Sequence, residues 1–195
     1  MNSIAILDFG SQYAQIIARR VREQGVYCEI HPFHLSAEAI AAKRPMGVIL
    51  SGGPSSVTDE DAPRGEDGFY DKIGVPILGI CYGMQLVAAD LGGAIEPAAR
   101  REYGHAKVKV LSGATALFNE LPFELDVWMS HGDHMTRLPE GFYPVATSED
   151  IPTAIENAER GIYCVQFHPE VSHTPLGKEI IRNFLFDICK CKGDW

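Results

Sequence analysis

Val75-Pro-Ile-Leu-Gly79-Ile-Cys81-Tyr-Gly83-Met-Gln85-Leu-Val-Ala-Ala89 decides the fold. Its first half is a short apolar run behind a Gly-Val-Pro entry, the pattern of a buried strand. After Cys81 the apolar positions Met84, Leu86, Val87 and Leu91 follow helical spacing on one face. Between strand and helix stands Gly79-x-Cys81-x-Gly83, the spacing of a nucleophile elbow with cysteine in place of serine. A sharp strand-to-helix turn leaves no room for a Cβ two residues either side of the nucleophile, so both flanks are glycine. The turn also aims the sulfur at the positive end of the following helix, which favours a thiolate. A lone cysteine between glycines is more often a small buried hydrophobe. Residues elsewhere must therefore supply its partners.

Strands and helices alternate on the N-terminal side of the elbow. Ile4-Ala-Ile-Leu-Asp8 reads as a strand ending in the turn Phe9-Gly-Ser-Gln12. A helix follows over 14–24, with Ile16, Ile17, Ala18 and Val21 on one side, and Gly25 stops it. Val26–Ile30 and Gly47–Leu50 read as further strands, Ser36 as the cap of a helix through Ala42, and 66–73 as a helix. This order predicts an open, mostly parallel twisted sheet with helices on both faces. Beyond Gly93 the style changes. Alternating or apolar runs at 106–111, 126–130, 144–147, 153–155 and 161–167 predict a smaller, partly antiparallel sheet. Leu176 to Cys189 returns to helix, with Leu176, Ile180, Ile181, Phe184, Leu185 and Ile188 as its buried stripe. No repeat, low-complexity tract or linker interrupts the chain, so 1–195 reads as one domain.

Composition narrows the function. The chain has 195 residues, 46% hydrophobic and 22% charged, with a formal net charge of −9, so it is an ordinary globular domain rather than a nucleic-acid surface. No apolar stretch has the length of a membrane span, and Met1-Asn-Ser-Ile-Ala-Ile-Leu-Asp8 has no basic, signal-like character. An odd count of five cysteines argues against a disulfide framework, and the expectation is a cytoplasmic protein.

The partners of Cys81 emerge from Gly161-Ile-Tyr-Cys-Val-Gln-Phe-His168-Pro-Glu170. A mostly apolar strand delivers His168 at its end, where catalytic groups of α/β sheets gather. Glu170, two residues on, can orient the imidazole and stabilise its charged form. A thiol, an imidazole and a carboxylate supply nucleophile, proton carrier and orienter. Leu50-Ser-Gly52-Gly53-Pro54 ends another strand in a turn able to expose backbone N–H groups, as an oxyanion hole requires. Ser51–Ser56 has a faint likeness to a pyrophosphate-gripping loop, but the aspartate is missing and proline removes a donor. His131-Gly-Asp133-His134 with His168 and His173 offers a rival reading as a metal site. That reading lacks a helical His-x-x-x-His pair and leaves the elbow cysteine unused, so the expectation is no metal. A non-catalytic binding module or a redox-sensing cysteine protein remain alternatives.

The elbow Gly-Ile-Cys81-Tyr-Gly-Met-Gln with Gln-Phe-His168-Pro-Glu170 resembles the class I (triad-type) glutamine amidotransferases, a flavodoxin-like α/β family. Leu7–Tyr13, Arg101–Gly104, Asp126–Asp133 and Phe167–Thr174 are similar to the glutaminase domains of GMP synthetases, and the likeness covers nearly the whole chain. The resemblance implies Cys81 as nucleophile, His168 as general acid/base and Glu170 as its partner. It implies an oxyanion hole from the N–H groups of Gly53 and Tyr82. Gly52, the side chain of Gln85 and the backbone of Ser130-His131-Gly132 would hold glutamine. It further implies no cofactor in this domain, with ATP and Mg used by an ATP-pyrophosphatase supplied in cis or in trans. That module and its dimerisation domain are absent from these 195 residues, which would be a free-standing subunit or an excised domain. The loop Ser51–Gly65 is the candidate mobile element for coupling the two.

Overall fold

A computed structural model describes residues 3–10, 12–111 and 115–195 of the chain. Its elements are β1 (Ser3–Asp8), α1 (Tyr13–Arg22), β2 (Tyr27–Pro32), α2 (Ala37–Ala41), β3 (Gly47–Leu50), α3 (Phe69–Lys72), β4 (Ile77–Ile80) and α4 (Tyr82–Asp90). There follow β5 (Ala94–Val110), a 3₁₀ turn, β6 (Glu124–Arg137), β7 (Tyr143–Ser148), β8 (Ile151–Asn157), β9 (Ile162–Val165) and α5 (Gly177–Arg182).

The strands form one nine-stranded sheet in the order β2-β1-β3-β4-β9-β8-β7-β5-β6. From β2 to β9 every neighbour is parallel; from β9 to β6 every neighbour is antiparallel. The antiparallel part expected of the second half is therefore not a separate layer. It continues the parallel part edge to edge through the β8–β9 pairing.

Alternation along each central strand sorts the core into two layers. On β1, Ile4 and Ile6 face a layer completed by Ala14, Ile17, Ala18 and Val21 of α1 and Ile180 and Ile181 of α5. Ala5 and Leu7 face the other, with Ala37 and Ile40 of α2, Phe69 of α3 and Met84, Leu86 and Val87 of α4. Residues Tyr82 to Ala88 of α4 are all buried. The helix after the elbow thus lies inside the protein rather than showing one apolar face to it. Ser36 caps α2 by accepting the Ala39 N–H at 3.2 Å.

Three helices and one hairpin differ from the sequence reading. The first helix starts at Tyr13 and ends at Arg22, within a turn of the expected bounds. The helix expected over 66–73 shrinks to Phe69–Lys72, because Gly68 enters it with φ +72°. After Arg182 the last helix loosens into π geometry over Asn183–Ile188. There the buried Asn183 amide donates to the carbonyls of Leu117 (3.1 Å) and Asn119 (2.9 Å). Two short expected strands are parts of the long β5–β6 hairpin, whose register slips between Pro97 and Glu102. No helix among the described residues is long and apolar enough to cross a membrane, and all five cysteines are free and buried.

Candidate active site

The elbow is a steric construction. A Cβ on Gly79 would lie 2.9 Å from the Gly83 carbonyl carbon and oxygen, and one on Gly83 would lie 2.5 Å from the Leu50 carbonyl oxygen. Only glycine lets the start of α4 pass this close to β3 and β4. Cys81 itself sits at φ +53°, ψ −106°. A side chain in that sparsely populated region costs about 1–3 kcal/mol and persists where the surroundings enforce it. The Cys81 N–H donates to the Val165 carbonyl at 2.8 Å, which seats the turn against the end of β9.

The same strand end brings in the other two expected residues. His168 and Glu170 are 1% and 0% exposed, and His168 Nδ1 donates to Glu170 Oε1 at 2.8 Å. This leaves Nε2 as the ring nitrogen with no hydrogen-bond partner among the described residues. Burial on its own lowers the His168 pKa. The contacts and charges of Cys81 and Glu170 outweigh it and push the value up to about 11. The imidazole therefore keeps its proton to higher pH than a free histidine does.

Several groups the sequence reading did not assign hold His168 in place. The Tyr13 ring lies 4.4 Å from the imidazole, centroid to centroid. The Thr174 hydroxyl donates to the His168 carbonyl (2.6 Å) and accepts from the Trp128 N–H (3.0 Å). The Trp128 carbonyl in turn accepts from the His168 N–H at 3.0 Å. Arg20 donates to the Glu170 carbonyl at 2.8 Å. Gln166, 3% exposed, places Nε2 3.8 Å from the Cys81 sulfur. Only Gln166 left a readable signal. In an extended run, residues 166 and 168 point to the same side, so the glutamine shares the histidine's destination.

In front of Cys81 opens a cleft of about 510 Å³. Gly53, Tyr82, Gln85, Ser130, His131, Gly132 and Asp133 line it, so the expected oxyanion and substrate groups meet at one place. Tyr82 is the first residue of α4, where an N–H has no partner within the helix. The Cys81 sulfur lies 3.7 Å from the Ser130 carbonyl oxygen, and His131 Nδ1 donates to the Asp133 carbonyl at 2.7 Å. Gly52, expected to hold glutamine, sits against the pair: a Cβ there would lie 3.0 Å from His168 Cε1 and 3.6 Å from Cys81 Cβ.

The histidines of the metal reading do not gather. His131 bonds backbone, His168 bonds Glu170, and the His173 ring lies tilted against Trp128 with centroids 4.5 Å apart. Among the described residues no group of three or more His, Cys, Asp or Glu side chains is placed to hold a metal ion. The loop proposed as mobile is anchored at both ends of its acidic stretch. Ser56 donates to the Asp133 carboxylate (2.5 Å), while Arg64 donates to Asp90 (2.8 Å) and to the Val57 carbonyl (2.9 Å).

The family model described as glutamine amidotransferase class-I matches residues 5–188. The chain belongs to that family. This amidotransferase is 52% identical to a GMP synthase [glutamine-hydrolyzing] of Thiobacillus denitrificans and 50% identical to one of Bacillus subtilis, in each case over 98% of its length. It spans 38% and 37% of those two relatives. A solved structure from Thermoplasma acidophilum, assigned as one of the subunits of a GMP synthase, superposes with a TM-score of 0.83 at 34% identity. That match covers 97% of the amidotransferase and 94% of the other chain. A Thermotoga maritima glutamine amidotransferase, 19% identical with a TM-score of 0.76 over 97% and 98% of the two chains, shares the fold.

Proposed function

We propose that this amidotransferase hydrolyses the side-chain amide of glutamine through Cys81 and delivers the ammonia to an ATP-pyrophosphatase that aminates xanthosine monophosphate to GMP. The observation that carries the chemistry is the elbow sulfur, backed by a buried His168–Glu170 pair and facing the cleft. The Cys81 thiolate attacks the amide carbon, and the N–H groups of Gly53 and Tyr82 receive the oxyanion. His168 passes its proton to the departing nitrogen, so ammonia leaves and a glutamyl thioester remains. The neutral imidazole then takes a proton from water, the hydroxide adds to the thioester, and glutamate departs as His168 and the thiolate are restored. Gln85 and the backbone of Ser130–Gly132 hold the amino-acid end of glutamine. No step calls on a metal or cofactor in this chain; ATP and Mg act in the partner.

Support for the synthetic half is the naming of the relatives and the share of their length that this chain spans. The test is transfer of amide ¹⁵N from glutamine into GMP, with an ATP-pyrophosphatase domain, ATP, Mg²⁺ and xanthosine monophosphate. Label in the purine amino group is the expected result. Efficient synthesis from free ammonia with no transfer from glutamine would overturn this reading. The buried free thiols fit a reducing, cytoplasmic setting.

Two variants probe the triad. Glu170→Gln removes a charge that holds the His168 proton, so the His168 pKa falls. The alkaline limb of the glutaminase profile should move to lower pH, and kcat should drop by about two orders of magnitude or more. Stability follows the same sign. A histidine raised from 6.5 to about 11 stabilises the fold fully below pH 6.5 and loses that contribution as pH rises through about 11. Melts of the variant and the parent should therefore differ most at acidic to neutral pH and converge in strong alkali. Gly52→Ala pushes on the imidazole rather than on substrate, so kcat should fall while KM for glutamine stays within about twofold.

A further inference from the structure

One buried polar side chain outside the triad touches both the sulfur and the wall of the cleft. Gln166 stands one residue past β9, its N–H donating to the Thr153 carbonyl at 2.8 Å. Its Nε2 donates to the Cys81 sulfur at 3.8 Å, and its Oε1 accepts from Gln85 Nε2 at 3.1 Å. Gln85 lies one helical turn beyond Cys81 on α4, and its Nε2 also lies 3.5 Å from the Asp133 carbonyl.

The chemistry of an amide fixes how this bridge must be oriented. A thiolate only accepts hydrogen bonds, so the nitrogen end of Gln166 must face it. The oxygen end is then turned to Gln85 and can only accept. That in turn commits the Gln85 NH₂ inward, to Gln166 and Asp133, and leaves its carbonyl oxygen for the cleft. We propose that Gln166 is a positioning residue that joins nucleophile to substrate wall. It donates to the Cys81 thiolate, and by accepting from Gln85 it presents the Gln85 carbonyl to an N–H of bound glutamine. The proposal rests on Cys81 being the nucleophile of a glutaminase.

Its two limbs can be cut separately. Gln166→Glu keeps an acceptor for Gln85 but cannot donate to the sulfur; Gln166→Leu, similar in size, loses both contacts. Alkylation of Cys81 by iodoacetamide at pH 7 is followed by mass spectrometry of its peptide, with Cys81→Ala as blank, alongside kcat and KM for glutamine. Alkylation should slow about tenfold in both variants, since a thiolate deprived of a hydrogen-bond donor is less populated. KM should rise about tenfold in Gln166→Leu and stay within about twofold in Gln166→Glu. Alkylation at the parent rate in either variant, or an unchanged KM in Gln166→Leu, would overturn the proposal. Gln166→Leu introduces no buried charge, so it carries both readouts should Gln166→Glu not fold. If the parent chain alkylates at Cys81 yet releases no glutamate, the glutaminase reading fails while the Gln166–sulfur limb is still decided by the alkylation rates.

Discussion

Cys81→Ala should lower glutamate release by about four orders of magnitude or more, the scale seen when the nucleophile of a covalent hydrolase is removed. Alanine removes the atom that forms the thioester but leaves His168, Glu170 and the backbone donors where they are. What survives is whatever those groups can do for a direct attack by water. The fold should be nearly indifferent. Alanine keeps the strained backbone of the elbow and leaves only the space of one sulfur, about 1 kcal/mol of lost packing, or about 2–4 °C in a domain this size. Glutamine should still bind, since the cleft walls do not depend on the sulfur. Glutamate assays, a thermal melt and calorimetric titration with glutamine check the three parts. Release at more than a hundredth of the parent rate would mean that the thiol is not the nucleophile.

Gly83→Ala should unseat the elbow. The added Cβ would lie 2.5 Å from the Leu50 carbonyl oxygen and 2.8 Å from Leu50 Cβ. Neither can give way: Leu50 ends β3, a central strand paired on both sides, and the carbonyl is backbone. Relief must come from α4 moving off the sheet, which takes Cys81 with it. Overpacking of this kind costs about 3 kcal/mol, so the melting temperature should fall by about 6–12 °C. Activity measured well below the melt should fall as well, because the sulfur no longer meets His168. Gly65→Ala is the control. Its nearest contact would be the Phe33 carbonyl at 3.7 Å, and stability should change by less than about 0.5 kcal/mol. Equal melts for the two variants would show that the elbow glycines are not there for close packing.

The elbow could be read from sequence because each residue in Gly79-x-Cys81-x-Gly83 answers one steric demand, and the clash distances at both glycines bear that out. His168 and Glu170 could be read because a strand end delivers them two residues apart. What could not be read depends on pairing between distant segments. Thr153–Ile155 and Gly161–Phe167 were legible as part of a partly antiparallel sheet, but an apolar run does not name its pairing partner, so the β8–β9 joint that makes the whole one sheet left no mark. The β5–β6 hairpin was broken by Pro97 and the register slip beyond it. Tyr13 opens α1, far from residue 168 in sequence, and only the finished packing lays its ring on the imidazole.

In chain order the last strand of the described sheet, β9, occupies its middle, between β4 and β8. A growing polypeptide therefore carries its reactive cysteine through a long stretch of its synthesis before a histidine exists to activate it. Until residues 162–168 have left the ribosome, the elbow lacks the Val165 carbonyl that receives its N–H, the amide of Gln166 and the imidazole. Nascent chains thus present an ordinary thiol, and glutamine is spared until the centre of the sheet has closed.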